Sequence, residues 1–323
     1  AAGAKVGHIL AWDGFAVARL GLGTDGAVKA LAVFRGALVA GGAFTRALQP
    51  DGHAVLSGGL ASWDGAAWAL LGGAAVAGDV TALLADGDTL YVAGHFSRVG
   101  TLRAQGLAAL DGATGAWREL GGGVSGGTIF CLATLHSDLY VGGSFSRAGG
   151  ASTGGIAKWD GRRWAALGGA DGDVRALVVV GEFIFAGGDF GAIGGVPAHN
   201  VARLHSGKWA AVGRGLNGAV LAMRAVQGCV YMGGAFTDTA AAGDDLRLPV
   251  RHVTRWCIEG EDALAAGDGP RLADFDSFPA LGPVRAILQF EPAAVPAHSP
   301  APAPAAPAGN CSAAGDGACP VLT

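Results

Sequence analysis

One phrase recurs along this chain and limits what it can fold into: a short apolar run, two small residues, one variable residue, then phenylalanine. It reads "LVAGGAF", "LYVAGHF", "LYVGGSF", "FIFAGGDF" and "VYMGGAF", closing on Phe44, Phe96, Phe145, Phe190 and Phe236, a period of 45–52 residues. Self-similarity at such a period marks an array of supersecondary units, none of which can bury its apolar surface without a neighbour. Each unit holds four apolar segments; across residues 173–213 they are "DVRALVVVG", "FIFAGGDF", "HNVARLHS" and "KWAAVG". Segments this short, punctuated by Gly, Asp, Ser or Lys, are predicted strands. The fold class is therefore all-β, and four-stranded antiparallel sheets stacked radially make a β-propeller.

Composition agrees. The 323 residues are 51% hydrophobic and include 58 glycines with no collagen-like period, as tight turns in an all-β protein demand. The paired glycines are expected where the second strand bends and a Cβ would collide or force an unfavourable dihedral. Trp12, Trp63, Trp159 and Trp256 fall in third strands, with Leu110 and Leu204 in their place elsewhere; Trp68, Trp117, Trp164 and Trp209 fall in fourth strands. Their fixed place in the repeat reads as packing between sheets rather than as a sugar-stacking platform. Asp64-Gly65 and Asp160-Gly161 are expected to supply positive-φ residues to a hairpin turn.

Taken together, this order of strands resembles the kelch-type propeller repeat. More closely, "LYVGGSF…GGIAKWDGRRWAALGG" resembles the extracellular repeats of fungal cortical polarity-marker proteins and of related algal surface glycoproteins. The resemblance spans about residues 6–290 and implies a propeller at a cell surface. Complete units begin near Val28, Val80, Ile129, Val174 and Val220. Two strands remain at the start, "GHILAWDG" and "FAVARLGLG", and one near the end, "PVRAILQF". These remnants are complementary, so six blades are expected, with the N- and C-terminal strands sharing one blade whose second strand is missing. The following "EPAAVPAHS" has neither Gly-Gly nor Phe, so either a degenerate strand lies there or the chain is cut from a longer array. In the fifth unit, 258–277 reads as an insertion and "FPALG", 278–282, as the fourth strand. The propeller thus covers residues 1–290, a Pro/Ala-rich extended linker 291–309, and a Cys-containing tail, or the start of a further module, 310–323.

Five cysteines carry redox information. Cys229 opens the second strand of the fifth unit and Cys257 ends its third, so the two are disulfide candidates, with buried free thiols the alternative. Cys311 and Cys319 sit in a polar tail, where a closed loop or the opening of a disulfide-rich module fits. Cys131 reads as a small core residue. Asn310-Cys311-Ser312 is a formal N-glycosylation sequon, and the Ala-Pro and Ser-Pro dipeptides of 299–307 resemble the glycosylated stalks of green-lineage surface proteins. The expected location is extracellular or at the cell surface.

Chemistry is sparse. A net charge of −4 with no basic stretch excludes the footprint of a nucleic-acid binder, and no apolar run reaches the roughly 18 residues of a membrane helix. No metal is expected, since the eight histidines show no HxH or HExxH spacing, and no cofactor, since no phosphate loop occurs and the many Gly-x-Gly fragments are repeat punctuation. His95, in "AGHF", and His205, in the place of the turn aspartate, read as substitutions at surface turns. The redox enzymes of kelch-like type, as in galactose oxidase, imply copper held by two tyrosines and two histidines. Here Tyr91, Tyr140 and Tyr231 all occupy one second-strand position, which packing explains.

Binding is better supported. Arg46, Arg98 and Arg147 recur two residues after the repeat phenylalanine, in loops on one face, and an arc of guanidinium forks suits carboxylate or sulfate groups. The plainer reading makes them solvated rim charges. The acidic run of 258–277 reads as a solvated loop. The expectation is a non-catalytic binding or structural module of a cell-surface or matrix glycoprotein, within a larger assembly, with other surface proteins or acidic glycans as partners. A carbohydrate-active or redox enzyme and a lectin-like receptor are the alternatives.

Overall fold

The computed structural model describes residues 7–13, 15–239, 251–257 and 273–274. The chain separates into two compact units, Ala1–Leu288 and Gln289–Thr323. The linker 291–309, Asn310, Cys311 and Cys319 all lie outside the described residues.

Five four-stranded antiparallel sheets follow one another along the chain, each in simple sequence order. Sheet one comprises Ala27–Phe34, Ala37–Ala43, Leu60–Trp63 and Trp68–Ala69. Sheet two comprises Val76–Asp86, Thr89–Val99, Leu107–Asp111 and Trp117–Glu119, with Leu102–Arg103 added to its second strand. Sheets three and four begin with Ile129–Leu135 and Asp173–Val180, paired with Asp138–Gly143 and Phe183–Asp189. Sheet five comprises Val220–Val226, Cys229–Gly234, Val253–Cys257 and Ala273–Asp274. The last strand, inside the run read from sequence as an insertion, pairs with Thr254 and Arg255, and "FPALG", 278–282, lies outside the described residues. Ahead of sheet one, Leu10–Trp12 and Val17–Arg19 form a separate antiparallel hairpin. No helix among the described residues is long and apolar enough to cross a membrane.

The core lies between sheets. Phe34, Val39 and Leu60 of sheet one pack with Val80, Leu90 and Val92 of sheet two, and similar clusters join sheets two with three, three with four, and four with five. First strands of consecutive sheets lie side by side. Each inserts a branched residue and, three positions on, a longer one into the sheet before it: Val80 and Leu83, Ile129 and Leu132, Val174 and Leu177, Val220 and Met223. Leu177 is 9% exposed, and burying such a side chain contributes about 1.5–3 kcal/mol.

The paired glycines exist for this packing. Neither member of a pair needs a positive φ, so collision is the reason and dihedral strain is not. A Cβ on Gly187 would lie 2.6 Å from Val220 Cγ1 and 3.1 Å from Met223 Sδ. At the second glycine the obstacle is backbone: a Cβ on Gly42, Gly94, Gly143, Gly188 or Gly234 would strike the carbonyl of Ala27, Asp79, Thr128, Asp173 or Ala219. The backbone crowds there because every first strand carries a β-bulge, which places one extra residue opposite the pair.

Tryptophans close the seams. Trp63 faces Trp68 and Trp159 faces Trp164 across the outer strand pair, with ring centroids 5.3 Å apart in both cases. The indole N–H groups of Trp68, Trp164 and Trp209 donate to the carbonyls of Leu20, Leu120 and Leu167, in the segments that lead into sheets one, three and four. The turn aspartates work differently from the sequence expectation. Only Gly65 and Gly161 take positive φ, while Asp64 Oδ1 accepts the N–H groups of Ala66 and Ala67, and Asp160 Oδ1 those of Arg162 and Arg163.

Candidate ligand-binding rim

The arginine loops are hairpins in their own right. Arg46–Leu48 pairs with Ala54–Leu56, and Arg147–Ala148 pairs with Ala151–Ser152 and with Val124–Ser125. Arg98 and Arg147 are engaged within their own loops. Arg147 donates through Nε and Nη2 to Gly150 O at 3.1 and 2.9 Å, and Arg98 donates through Nη2 to Thr101 O at 3.3 Å. Beside Arg46, Asp25 Oδ1 accepts the N–H groups of Thr45 and Arg46. Asp171 and Asn217 hold the same position in sheets four and five, accepting from Gly191 and Ala192, and from Thr237 and Asp238. This Asx clamp, written before each glycine of "DGAV", "DGDV" and "NGAV", went unread in the sequence.

Variation concentrates elsewhere, where the frame is most constant. The bulge residues are Lys29, Thr81, Phe130, Arg175 and Leu221, each following a branched residue that never changes class. A bulge re-aims its side chain, and four of these reach a neighbour or bond across a seam. Lys29 Nζ meets Asp79 Oδ2 of sheet two at 3.0 Å. Thr81 Oγ1 donates to Ile129 O of sheet three. The Arg175 guanidinium sits 5.4 Å from the centre of the Phe130 ring, and its Nη2 meets Asp173 Oδ2 at 2.7 Å.

Two positions before each bulge lies a second variable residue, directly opposite the one that follows the paired glycines. The opposed residues are Ala27 with Ala43, Asp79 with His95, and Asp173 with Asp189. In sheets three and five the same places hold Thr128 with Ser144 and Ala219 with Ala235, where the backbone N–H groups of Ser144 and Ala235 donate to the carbonyls of Thr128 and Ala219. The residue after the glycines is exposed in all five sheets. His95 is therefore a strand residue facing an acid, and not a substitution in a surface turn. A cleft of about 500 Å³ opens beside it between sheets two and three, with Ser97, Gln105 and Ser125 on its walls.

No hydrogen bond among the described residues joins His95 to Asp79 or to Ser144, and no group of three or more His, Cys, Asp or Glu among them could hold a metal ion. Tyr91 and Tyr140 stand in second strands, where burial pushes both phenols above their usual pKa. Burial likewise pushes the Cys131 thiol up, with Sγ 3.6 Å from Val174 O. Cys229 and Cys257 stand opposite in register and are joined by a disulfide.

No protein-family model matches the chain, and no curated protein matches it. Among solved structures it is similar to the computationally designed Ika8 protein at 19% identity and a TM-score of 0.49, over 82% of this chain and 65% of that one. It is also similar to the computationally designed Ika4 protein at 15% identity and a TM-score of 0.35, over 56% of this chain and 91% of that one. The chain thus spans about 65% of the length of the first.

Proposed function

We propose that this chain is a kelch-like, six-bladed β-propeller of an extracellular or cell-surface glycoprotein, acting as a non-catalytic binding module in a larger assembly. Closure is supported by a gap in the packing. Leu31 holds the place of Leu83, Leu132, Leu177 and Met223, yet it is 53% exposed and Val33 beside it is 69% exposed. A sixth sheet made from both ends covers them. Its third and fourth strands are Leu10–Trp12 and Val17–Arg19, already paired. For its first strand the sequence offers "PVRAILQF", outside the described residues, in which Val284 and Ile287 repeat the three-residue spacing of Val220 and Met223. Disulfide chemistry at Cys229 and Cys257 supports an oxidising compartment.

The observation that carries the binding reading is the contrast at the rim. Backbone and bulge are constant over five sheets, and the small pair is Gly-Gly in four of them and Ala93-Gly94 in sheet two, while the residues they present change from Ala to Asp, His, Thr, Ser, Lys and Arg. The residues after the glycines are exposed in all five sheets and the bulge residues beyond sheet one are half-buried, so side chains of differing chemistry are presented along one rim. The test is to incubate the purified full chain with cell-wall or matrix material of defined composition. Saturable, reversible binding with the material recovered unchanged is the expected result. Hydrolysis or oxidation of the material would replace this reading with the enzymatic one.

A further inference from the structure

We infer that the rim of sheets two to four is a saccharide site that takes a neutral, hydroxyl-rich oligosaccharide, an inference that rests on the binding-module reading. Its polar residues are contiguous. Sheets one and five present only alanines at the opposed positions, whereas the three sheets between them present Asp79 with His95, Thr128 with Ser144, and Asp173 with Asp189. The bridges Thr81 to Ile129 O and Arg175 over Phe130 tie these three sheets into one surface.

The pair Asp173 and Asp189 is costly for folding. Like charges directly opposite on paired strands repel, and alanines at that place serve sheets one and five. Arg175 offsets Asp173 alone, so Asp189 stands exposed with an acceptor free for a ligand. Side chains that weaken the sheet they sit on, yet point to solvent, are those a ligand explains.

Chemistry then selects the class. A sugar hydroxyl both donates and accepts, and it needs carboxylates and cationic or imidazole donors side by side. The rim offers them in alternation: Lys29, Asp79, His95, Asp173, Arg175 and Asp189. Lys29 and Arg175 are already paired with acids, which leaves no net positive field for a sulfate or uronate. Phe130 adds an apolar ring beside Arg175, and at the sheet-two end of the rim His95 lines a cleft of about 500 Å³, within the ~300–1,000 Å³ range of small-ligand sites.

The test presents the full chain to immobilised oligosaccharides of three kinds: neutral hexose and pentose chains, uronate chains and sulfated chains. A neutral member should be held, with affinity little changed in about 1 M salt because no ion pair carries it. Asp189→Asn should weaken that binding roughly tenfold or more while leaving the unfolding midpoint equal or higher, since it removes the repulsion. Binding confined to uronate or sulfated chains, and lost on changing Arg46, Arg98 and Arg147 to Ala, would overturn the rim assignment and leave the binding module standing. Retention of no member, or Asp189→Asn binding as well as the parent, would overturn the saccharide site alone. Turnover of any member would overturn both readings.

Discussion

The two glycines of a pair answer to different obstacles, and alanine at each should separate them. Take Gly142 and Gly143 of sheet three. A Cβ on Gly142 would meet Cys131 Sγ at 2.6 Å, Val174 Cγ1 at 2.7 Å and Leu177 Cδ1 at 3.3 Å, all side-chain atoms. Such atoms yield by rotation and small shifts, and sheet two carries Ala93 in this place as it stands. A Cβ on Gly143 would instead strike the Thr128 carbonyl oxygen, with Ile129 Cα at 2.9 Å behind it. Backbone cannot rotate aside, so relief requires opening the bulge and parting two strands.

Overpacking costs about 1–3 kcal/mol where side chains adjust, and more where backbone must move. Alanine also restricts the unfolded chain, which returns about 0.4–1 kcal/mol in both cases. Gly142→Ala should therefore destabilise by about 1–2 kcal/mol and Gly143→Ala by about 3 kcal/mol or more. Urea unfolding of both variants, compared at equal slope, measures the difference. The reasoning fails if Gly143→Ala is as mild as Gly142→Ala, for then the bulged backbone is softer than the seam between sheets.

Closure and acid stability give two further predictions. If a sixth sheet covers sheet one, Leu31→Ala should cost about 2–5 kcal/mol, as expected for Leu177→Ala, whereas a solvent-facing leucine would cost within about 0.5 kcal/mol; urea unfolding of the two variants side by side decides. For pH, Asp64, Asp160 and Asp13 have carboxyl pKa values held below the usual 3.8 by backbone N–H groups, first those of Ala67, Arg163 and Ala16. A lowered folded pKa gives stability that is full above the unfolded value and is lost as pH falls through the folded one. The urea midpoint should hold steady down to about pH 4 and drop below it, with a shallower drop in Asp64→Asn and Asp160→Asn.

What the sequence disclosed and what it hid follow from one physical distinction. Residues that every unit needs, such as the paired glycines, Phe44 and its equivalents, and Trp68 and its equivalents, repeat because each seam poses the same packing problem, so period and strand order could be read directly. Sheet five breaks the pattern after Cys257, where Ala273–Asp274, paired with Thr254 and Arg255, carries neither tryptophan nor apolar alternation to announce itself. Asp-Gly suggested two positive-φ residues, yet an aspartate whose carboxylate accepts two N–H groups leaves only glycine on that side.

The rim was hidden for the opposite reason: its residues differ from sheet to sheet, so a search for repeats discards them as noise. Their signal is joint variation. Lined up by unit, "GAVK", "GDVT", "GTIF", "GDVR" and "GAVL" go with "GAF", "GHF", "GSF", "GDF" and "GAF". Ala accompanies Ala, a hydroxyl accompanies a hydroxyl, and an acid accompanies His or a second acid. The strand register turns that correspondence into contact, since Asp79 stands opposite His95 and Asp173 opposite Asp189. Opposed pairs of matching character can arise from packing alone when both members are apolar or oppositely charged. Asp173 with Asp189 is neither, and so it is the pair on which the proposed saccharide site rests.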